Sequence, residues 1–159
     1  MTQYKNQFVA YPELGEFAEK CAEIAQLAYP AGAAWSVETF KRDMATAKRA
    51  YLLRYDHDQL VGYIGIIQVL DQVDITGVAV HPDYQRRGHA QALFEALVAQ
   101  LATGSAIFLE VRVSNTAAQS LYERVGFKVI GKRPAYYSNP DEDAILMKFI
   151  VNVKKGDDE

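Results

Sequence analysis

The chain has 159 residues, half of them hydrophobic, 11% aromatic and 23% charged, the make-up of an ordinary globular domain, which excludes disorder, collagen-like repeats and coiled coils. A chain of this size buries roughly 70% of the surface its unfolded form exposes and needs neither disulfides nor zinc; its one cysteine, Cys21, has no partner within the chain, which fits a reducing, cytoplasmic compartment. A formal net charge of -3 argues against direct nucleic-acid binding, because phosphate backbones select a basic face.

The opening residues MTQYKNQF have neither the apolar stretch nor the cleavage site of a secretory signal, and a first strand is expected near them. Pro12 followed by Leu14, Phe17, Ala18, Cys21, Ile24, Ala25 and Ala28 gives helical spacing over 12–28. Pro30 and Gly32 break it. Ser36 then caps a short helix over 37–47, with Trp35 and Phe40 pinning the segment to the core. Tyr51–Tyr55 and Leu60–Gln68 are rich in strand formers and joined by Asp56-His57-Asp58-Gln59, a hairpin. Tyr63–Leu70, the longest apolar window, is interrupted by Gly65 and Gln68 and is too short to span a membrane.

Val73–Val80 reads as a further strand in which Gly77 marks a bulge or a close approach. A glycine-containing turn leads into a helix over 88–102 whose buried stripe is Leu93, Phe94, Leu97, Val98 and Leu101. Gly104 stops it, and Ile107–Val113 is the next strand. Ser114 or Asn115 caps a helix ending at Gly126. Strands at 127–130 and 144–151 flank a loop over 131–143, and the tail from 154 is frayed. A helix between two strands requires a crossover and at least one parallel pair. With no composition break or repeat, residues 1–153 read as one mixed α/β domain.

The stretch Gln85-Arg86-Arg87-Gly88-His89-Ala90 lies between a strand and a helix, where backbone N–H groups converge on the positive end of the helix dipole. Gly88 and the small Ala90 let the backbone approach a bulky anion, so the turn is a phosphate site or a solvent-exposed turn with two arginines. It lacks the Lys-Ser/Thr ending of a P-loop and the three glycines of a dinucleotide fingerprint. Strand alternation places Phe108, Glu110 and Arg112 on one face. Glu110 is either a desolvated carboxylate fit for base catalysis or the partner of Arg112 in a structural ion pair. Asn115 reads as a helix cap and Tyr122 as a core aromatic or a site residue. His57, His81 and His89 have no metal-ligand spacing, and no serine sits in a nucleophile elbow.

Together, VAVHPDYQRRGHAQALFEAL, LEVRVSNTAAQSLYERVGF and RPAYYSNPDEDAILM resemble the GNAT superfamily of acyl-CoA-dependent N-acetyltransferases, and within it the enzymes that acetylate the N-terminal alanine of a ribosomal protein. AAWSVETF extends the similarity into the N-terminal half. The Gln/Arg-x-x-Gly-x-Gly/Ala loop, here Gln85, Gly88 and Ala90, marks the superfamily. The Leu-Glu-Val-Arg, Ser-Asn and Leu-Tyr-Glu-x-x-Gly-Phe runs and the later Tyr-Tyr pair narrow it.

The resemblance implies a central, mostly antiparallel sheet with one splayed parallel pair and helices on both faces. Acetyl-CoA would be the co-substrate, its pantetheine arm lying in the splay against the backbone of Val78, Ala79 and Val80 and bonded by Asn115, its pyrophosphate held by Arg86, Arg87, Gly88, His89, Ala90 and Gln91. By the same resemblance Glu110 is the general base, Tyr122 the general acid, and Tyr136 and Tyr137 wall a peptide slot. Ala90 stands where a glycine is usual and Gly77 where a larger residue is often found. The expected partner is a protein N-terminus, probed by a monomer or weak dimer without metal. The alternatives are a GNAT enzyme acting on a small-molecule amine and a non-enzymatic acyl-CoA sensor.

Overall fold

The protein is described by a computed structural model covering residues 3–29 and 33–152; the expected helix breakers Pro30 and Gly32 and the expected frayed tail lie outside the described residues. In chain order the elements are β1 (Tyr4–Ala10), α1 (Ala18–Ala28), α2 (Val37–Met44), β2 (Arg49–Asp56), β3 (Gln59–Val69), β4 (Gln72–Val80), α3 (His89–Gln100), β5 (Ala106–Arg112), α4 (Thr116–Val125), β6 (Lys128–Tyr137) and β7 (Glu142–Ile150), with 3₁₀ turns at Gly15–Phe17 and Pro82–Tyr84. The seven strands form one sheet in the order β1-β2-β3-β4-β5-β7-β6.

All pairings are antiparallel except β4 with β5, where the crossover through α3 makes the strands parallel. That pair is short. It joins Gln72–Asp74 to Ala106–Phe108, and beyond Asp74 the two strands part, leaving a gap in the middle of the sheet. The bulge expected at Gly77 is present: Gly65 faces Gly77 while Ile66 faces Ile75, so Thr76 is the extra residue. A bulge increases local twist and bends the strand, and here it falls where β4 leaves β5.

Alternation sorts the strands' side chains to two cores. Leu52, Ile64, Val80, Ile107, Leu109 and Val111 pack with Leu93, Phe94 and Leu97 of α3 and Tyr122 of α4. Tyr51, Leu53, Tyr63 and Ala79 point the other way, against Cys21, Ile24 and Ala25 of α1 and Phe40 and Met44 of α2. Helices therefore cover both faces.

Two expectations are corrected. The 12–28 segment is not one helix: Glu13 N–H bonds the Ala10 carbonyl and Phe17 N–H that of Leu14, so Pro12 lies in a turn, a 3₁₀ turn follows, and α1 starts at Ala18. Buried Leu14 anchors that turn and gave the stripe its false extension. The 131–143 loop is mostly sheet: β6 runs to Tyr137, pairing Gly131 with Leu146 and Tyr137 with Glu142, with an irregularity between Arg133 and Tyr137. At that irregularity Ala135 has φ 52° and donates its N–H to Asp143 Oδ1 at 2.8 Å. The period-2 signal is lost there because β6 is an outer strand exposed along most of its length.

Candidate active site

Where β4 and β5 part, a cavity of about 620 Å³ opens, lined by Ile75–Val78 from β4, Leu109–Arg112 from β5, Tyr29 at the end of α1, Trp35 before α2, Asn115 and Tyr122 of α4, and Tyr136 and Tyr137 of β6. Glu110 and Tyr122 come to it from different sides of the sheet. Leu109 and Val111 face α3 and α4, so alternation turns Glu110 to the α1–α2 side. Tyr122 starts from α4, its ring packed against Phe94 and Phe127 at centroid distances of 5.5 and 5.9 Å. The gap between the strands lets both line one space.

The local sequence explains each placement. Asn115 caps α4, its side-chain oxygen accepting from Ala118 N–H at 3.1 Å, and Gly126 ends the helix with φ 126°. A side chain at Gly126 would strike the ring of Phe149 at 2.7 Å. The ten residues between these stops point Tyr122 inward, where burial pushes its phenol well above the ordinary tyrosine range, with Tyr29 and Tyr137 adding to the rise. Tyr122 therefore holds its proton at any working pH.

The ion pair between Glu110 and Arg112 is replaced by another. Arg112 turns to Glu142 at 3.2 Å and donates to the carbonyls of Ser138 and Pro140 at 2.9 and 2.8 Å. Its guanidinium also lies 4.5 Å from the centre of the Tyr137 ring. Arg112 thus braces the β6–β7 hairpin that presents the two tyrosines, and Glu110 keeps its carboxylate for the cavity. Tyr136 and Tyr137 meet edge to face at 4.9 Å. Burial and the Glu110 carboxylate raise both phenols, and the arginine on each ring, Arg133 and Arg112, opposes the rise.

The β3–β4 register divides Val78, Ala79 and Val80. His81 N–H bonds the Val61 carbonyl at 2.8 Å, which makes Val61–His81 a hydrogen-bonded pair and, two residues on, Tyr63–Ala79 another. Ala79 therefore spends its backbone groups on β3, and its side chain lies in the α1–α2 core. Val78 and Val80, in the alternate pairs, direct their backbone N–H and C=O groups away from β3, into the gap. Their carbonyls are taken, Val78 by the Tyr29 hydroxyl and Val80 by Gln85 Nε2 at 3.0 Å, so it is their N–H groups that face the opening. Tyr29 is a cavity residue that sequence reasoning missed. Its signal was weak: an aromatic one residue before Pro30, four residues past Ala25 on the buried stripe.

The Gln85–Gln91 stretch lies at the N-terminus of α3. Gly88 is the cap residue with φ 83° and no side chain to satisfy the first-turn N–H groups, which leaves those donors for a ligand or solvent. Arg86 is exposed, whereas Arg87 folds back to the Asp83 carbonyl at 2.6 Å. His89 is buried, so only its backbone is available to an anion. Gln91 donates to Glu95 at 3.4 Å.

The splayed β4–β5 pair followed by a bare helix N-terminus is the arrangement the resemblance implied, and residues 11–127 match the acetyltransferase (GNAT) family. The chain belongs to that family. It is 39% identical over 118 residues to the [ribosomal protein bS18]-alanine N-acetyltransferase of Haemophilus ducreyi, covering 71% of this chain and 81% of that one. It is 33% identical over 135 residues to the N-alpha-acetyltransferase RimI of Mycobacterium tuberculosis, covering 82% and 85%. The crystal structure of the ribosomal-protein-S18-alanine N-acetyltransferase from Escherichia coli superposes with a TM-score of 0.80 at 30% identity, covering 93% of this chain and 95% of that one. A Mycobacterium leprae relative, 34% identical over 134 residues, is much longer, and the match spans 37% of its length.

Proposed function

We propose that the protein transfers the acetyl group of acetyl-CoA to the α-amine of a protein N-terminus, the substrate being a ribosomal protein of the bS18 type that begins with alanine. The observation that carries this reading is the meeting of Glu110 and Tyr122 in one cavity between the parted strands, with Tyr136 and Tyr137 on its wall. Relatives bearing that activity by name cover most of this chain.

An α-amine has a pKa of about 7.7 to 8.0 against about 10.4 for a lysine, so the proton to be removed at neutral pH is a modest task for a carboxylate. Glu110 takes that proton, directly or through water. The neutral amine attacks the thioester carbonyl, and the Val80 N–H, turned into the gap, stabilises the oxyanion. Tyr122, kept protonated by burial, gives its proton to the departing thiolate. The Val78 N–H and the Asn115 amide hold the pantetheine arm. The first turn of α3, with Arg86 beside it, holds the pyrophosphate. The fit rests on the first turn of α3, which Gly88 leaves without a side-chain cap.

The test is incubation with acetyl-CoA and peptides that begin with alanine, begin with other residues, or carry a blocked N-terminus, together with small polyamines, read by intact mass. Acetylation of the free alanine peptide at a single site is expected. Acetylation of the amines alone would overturn the reading.

A further inference from the structure

In the turn that precedes α3, Arg86, not a glycine, sits at φ 64°; such backbone is costly in a residue with a side chain and persists where its surroundings hold it. On its upstream side Tyr84 donates its hydroxyl to Asp56 Oδ2 at 2.7 Å. On its downstream side stands His89, the first residue of α3, almost fully buried. His89 Nδ1 accepts from Arg54 Nε at 2.9 Å. Both anchors thus run to the end of β2.

The β2–β3 register shifts beside Arg54, where Val61 of β3 is the extra residue. The guanidinium is then fixed by Asn6 Oδ1 at 3.1 Å and by the Tyr4 ring, 5.2 Å from its centre. The His89 ring is gripped edgewise by Tyr4 at 4.6 Å and Tyr84 at 5.7 Å.

Because Nδ1 accepts, the proton sits on Nε2, which is buried without a hydrogen-bond partner among the described residues. That arrangement is costly, and leucine would fill the space without it, so the feature that singles out histidine is the acceptor at Nδ1. Burial, Arg54 and Arg87 all favour the neutral ring, with Asp56 opposing. Neutrality is what Arg54 needs, since an imidazolium would set donor against donor.

We propose that Arg54 and His89 form a positioning pair that holds the 85–88 turn and the first turn of α3 in the shape that receives the donor's pyrophosphate, setting affinity for acetyl-CoA and not the rate of transfer. The proposal rests on the reading of that turn as the pyrophosphate site. Neither side chain touches the cavity of Glu110 and Tyr122, so the effect reaches the reaction through donor binding alone.

The experiment is a double-mutant cycle on the intact protein with steady-state kinetics in both substrates. Arg54→Met and His89→Leu should each raise the KM for acetyl-CoA about tenfold, with kcat and the KM for peptide shifted less than twofold. The double variant should be no worse than either single one, because both break the same contact. His89→Asn, whose amide oxygen can stand in for Nδ1, should recover most of the loss seen with His89→Leu. Additive effects, a loss confined to kcat, or no rescue by asparagine would overturn the proposal. Gly88→Val separates the two readings: if it leaves acetyl-CoA binding unchanged, the pyrophosphate site itself is misplaced. If it weakens binding while Arg54→Met does not, the site stands and the positioning pair falls.

Discussion

The hydroxyl of Tyr29 donates to the carbonyl of Val78, tying the end of α1 to β4 on the stretch where β4 has left β5 and has no neighbour strand on that side. This bond stands in for a missing ladder bond and keeps one lip of the cavity in place. Tyr29→Phe should lower the thermal midpoint by about 2 to 4 °C, the worth of one hydrogen bond in a domain of this size. It should also raise the KM for acetyl-CoA severalfold, since Val78 presents its N–H from the same peptide chain. Scanning calorimetry and kinetics on the one variant check both, and an unchanged midpoint would show that the bond contributes nothing net.

Glu110 and Tyr122 should separate by pH. If Glu110 removes the amine proton, Glu110→Gln loses most turnover at low pH, where the amine is protonated, and partly recovers in alkali as free amine becomes abundant. Tyr122→Phe keeps the packing against Phe94 and Phe127 but removes the proton donor. Its defect should persist at high pH and shrink with an acyl donor whose thiol leaves more easily. Losses of about 10²- to 10⁴-fold are expected for each. If both variants keep near-normal turnover while acetyl-CoA still binds, the catalytic assignment is wrong.

The proposed reaction implies selectivity for an α-amine. Tyr136 and Tyr137 stand edge to face, with Arg133 and Arg112 over their rings, on the same cavity wall as Glu110. A peptide with a free N-terminus should be acetylated at least tenfold faster than one with a blocked N-terminus and free lysines, given the higher lysine pKa. Comparable lysine acetylation, measured by mass on both peptides, would contradict the assignment.

Glu142 supplies a pH test of stability. It accepts from Ser114 N–H at 2.8 Å and from Arg112, and these contacts, Ser114 first, hold its carboxyl below the usual range. A depressed folded-state value means that the stabilisation is complete above the unfolded glutamate pKa of about 4.3 and is lost as pH falls through the lower folded value. The wild-type thermal midpoint should therefore fall more steeply than that of Glu142→Gln as pH drops below about 4.3, while at pH 7 the variant is the less stable of the two. Parallel acid limbs for the two proteins would remove Glu142 from the account.

The features legible along the chain are local ones. Ser36, Asn115 and Gly126 start and stop helices by chemistry that acts within a few residues, and structure places each stop there. The Gly88 turn was legible for the same reason, because a helix N-terminus and a left-handed glycine are properties of a short segment. Glu110 announced itself as a carboxylate among Leu109 and Val111, although its partner could not be read. Arg112 is two residues away and on the same face, but it bonds to Glu142, thirty residues on, across the β6–β7 hairpin, where the sequence predicts a loop. Which groups share the cavity is set by long-range pairing. The β4–β5 pairing ends after Asp74 and Phe108, and that early ending brings Glu110 from one face of the sheet and Tyr122 from the other into one space. It also gives Tyr29 its bond to Val78 and, through the β3 register, assigns Val78 and Val80 to the opening and Ala79 to the sheet. These are contacts between segments far apart in the chain, fixed by register and packing, and no local periodicity encodes them.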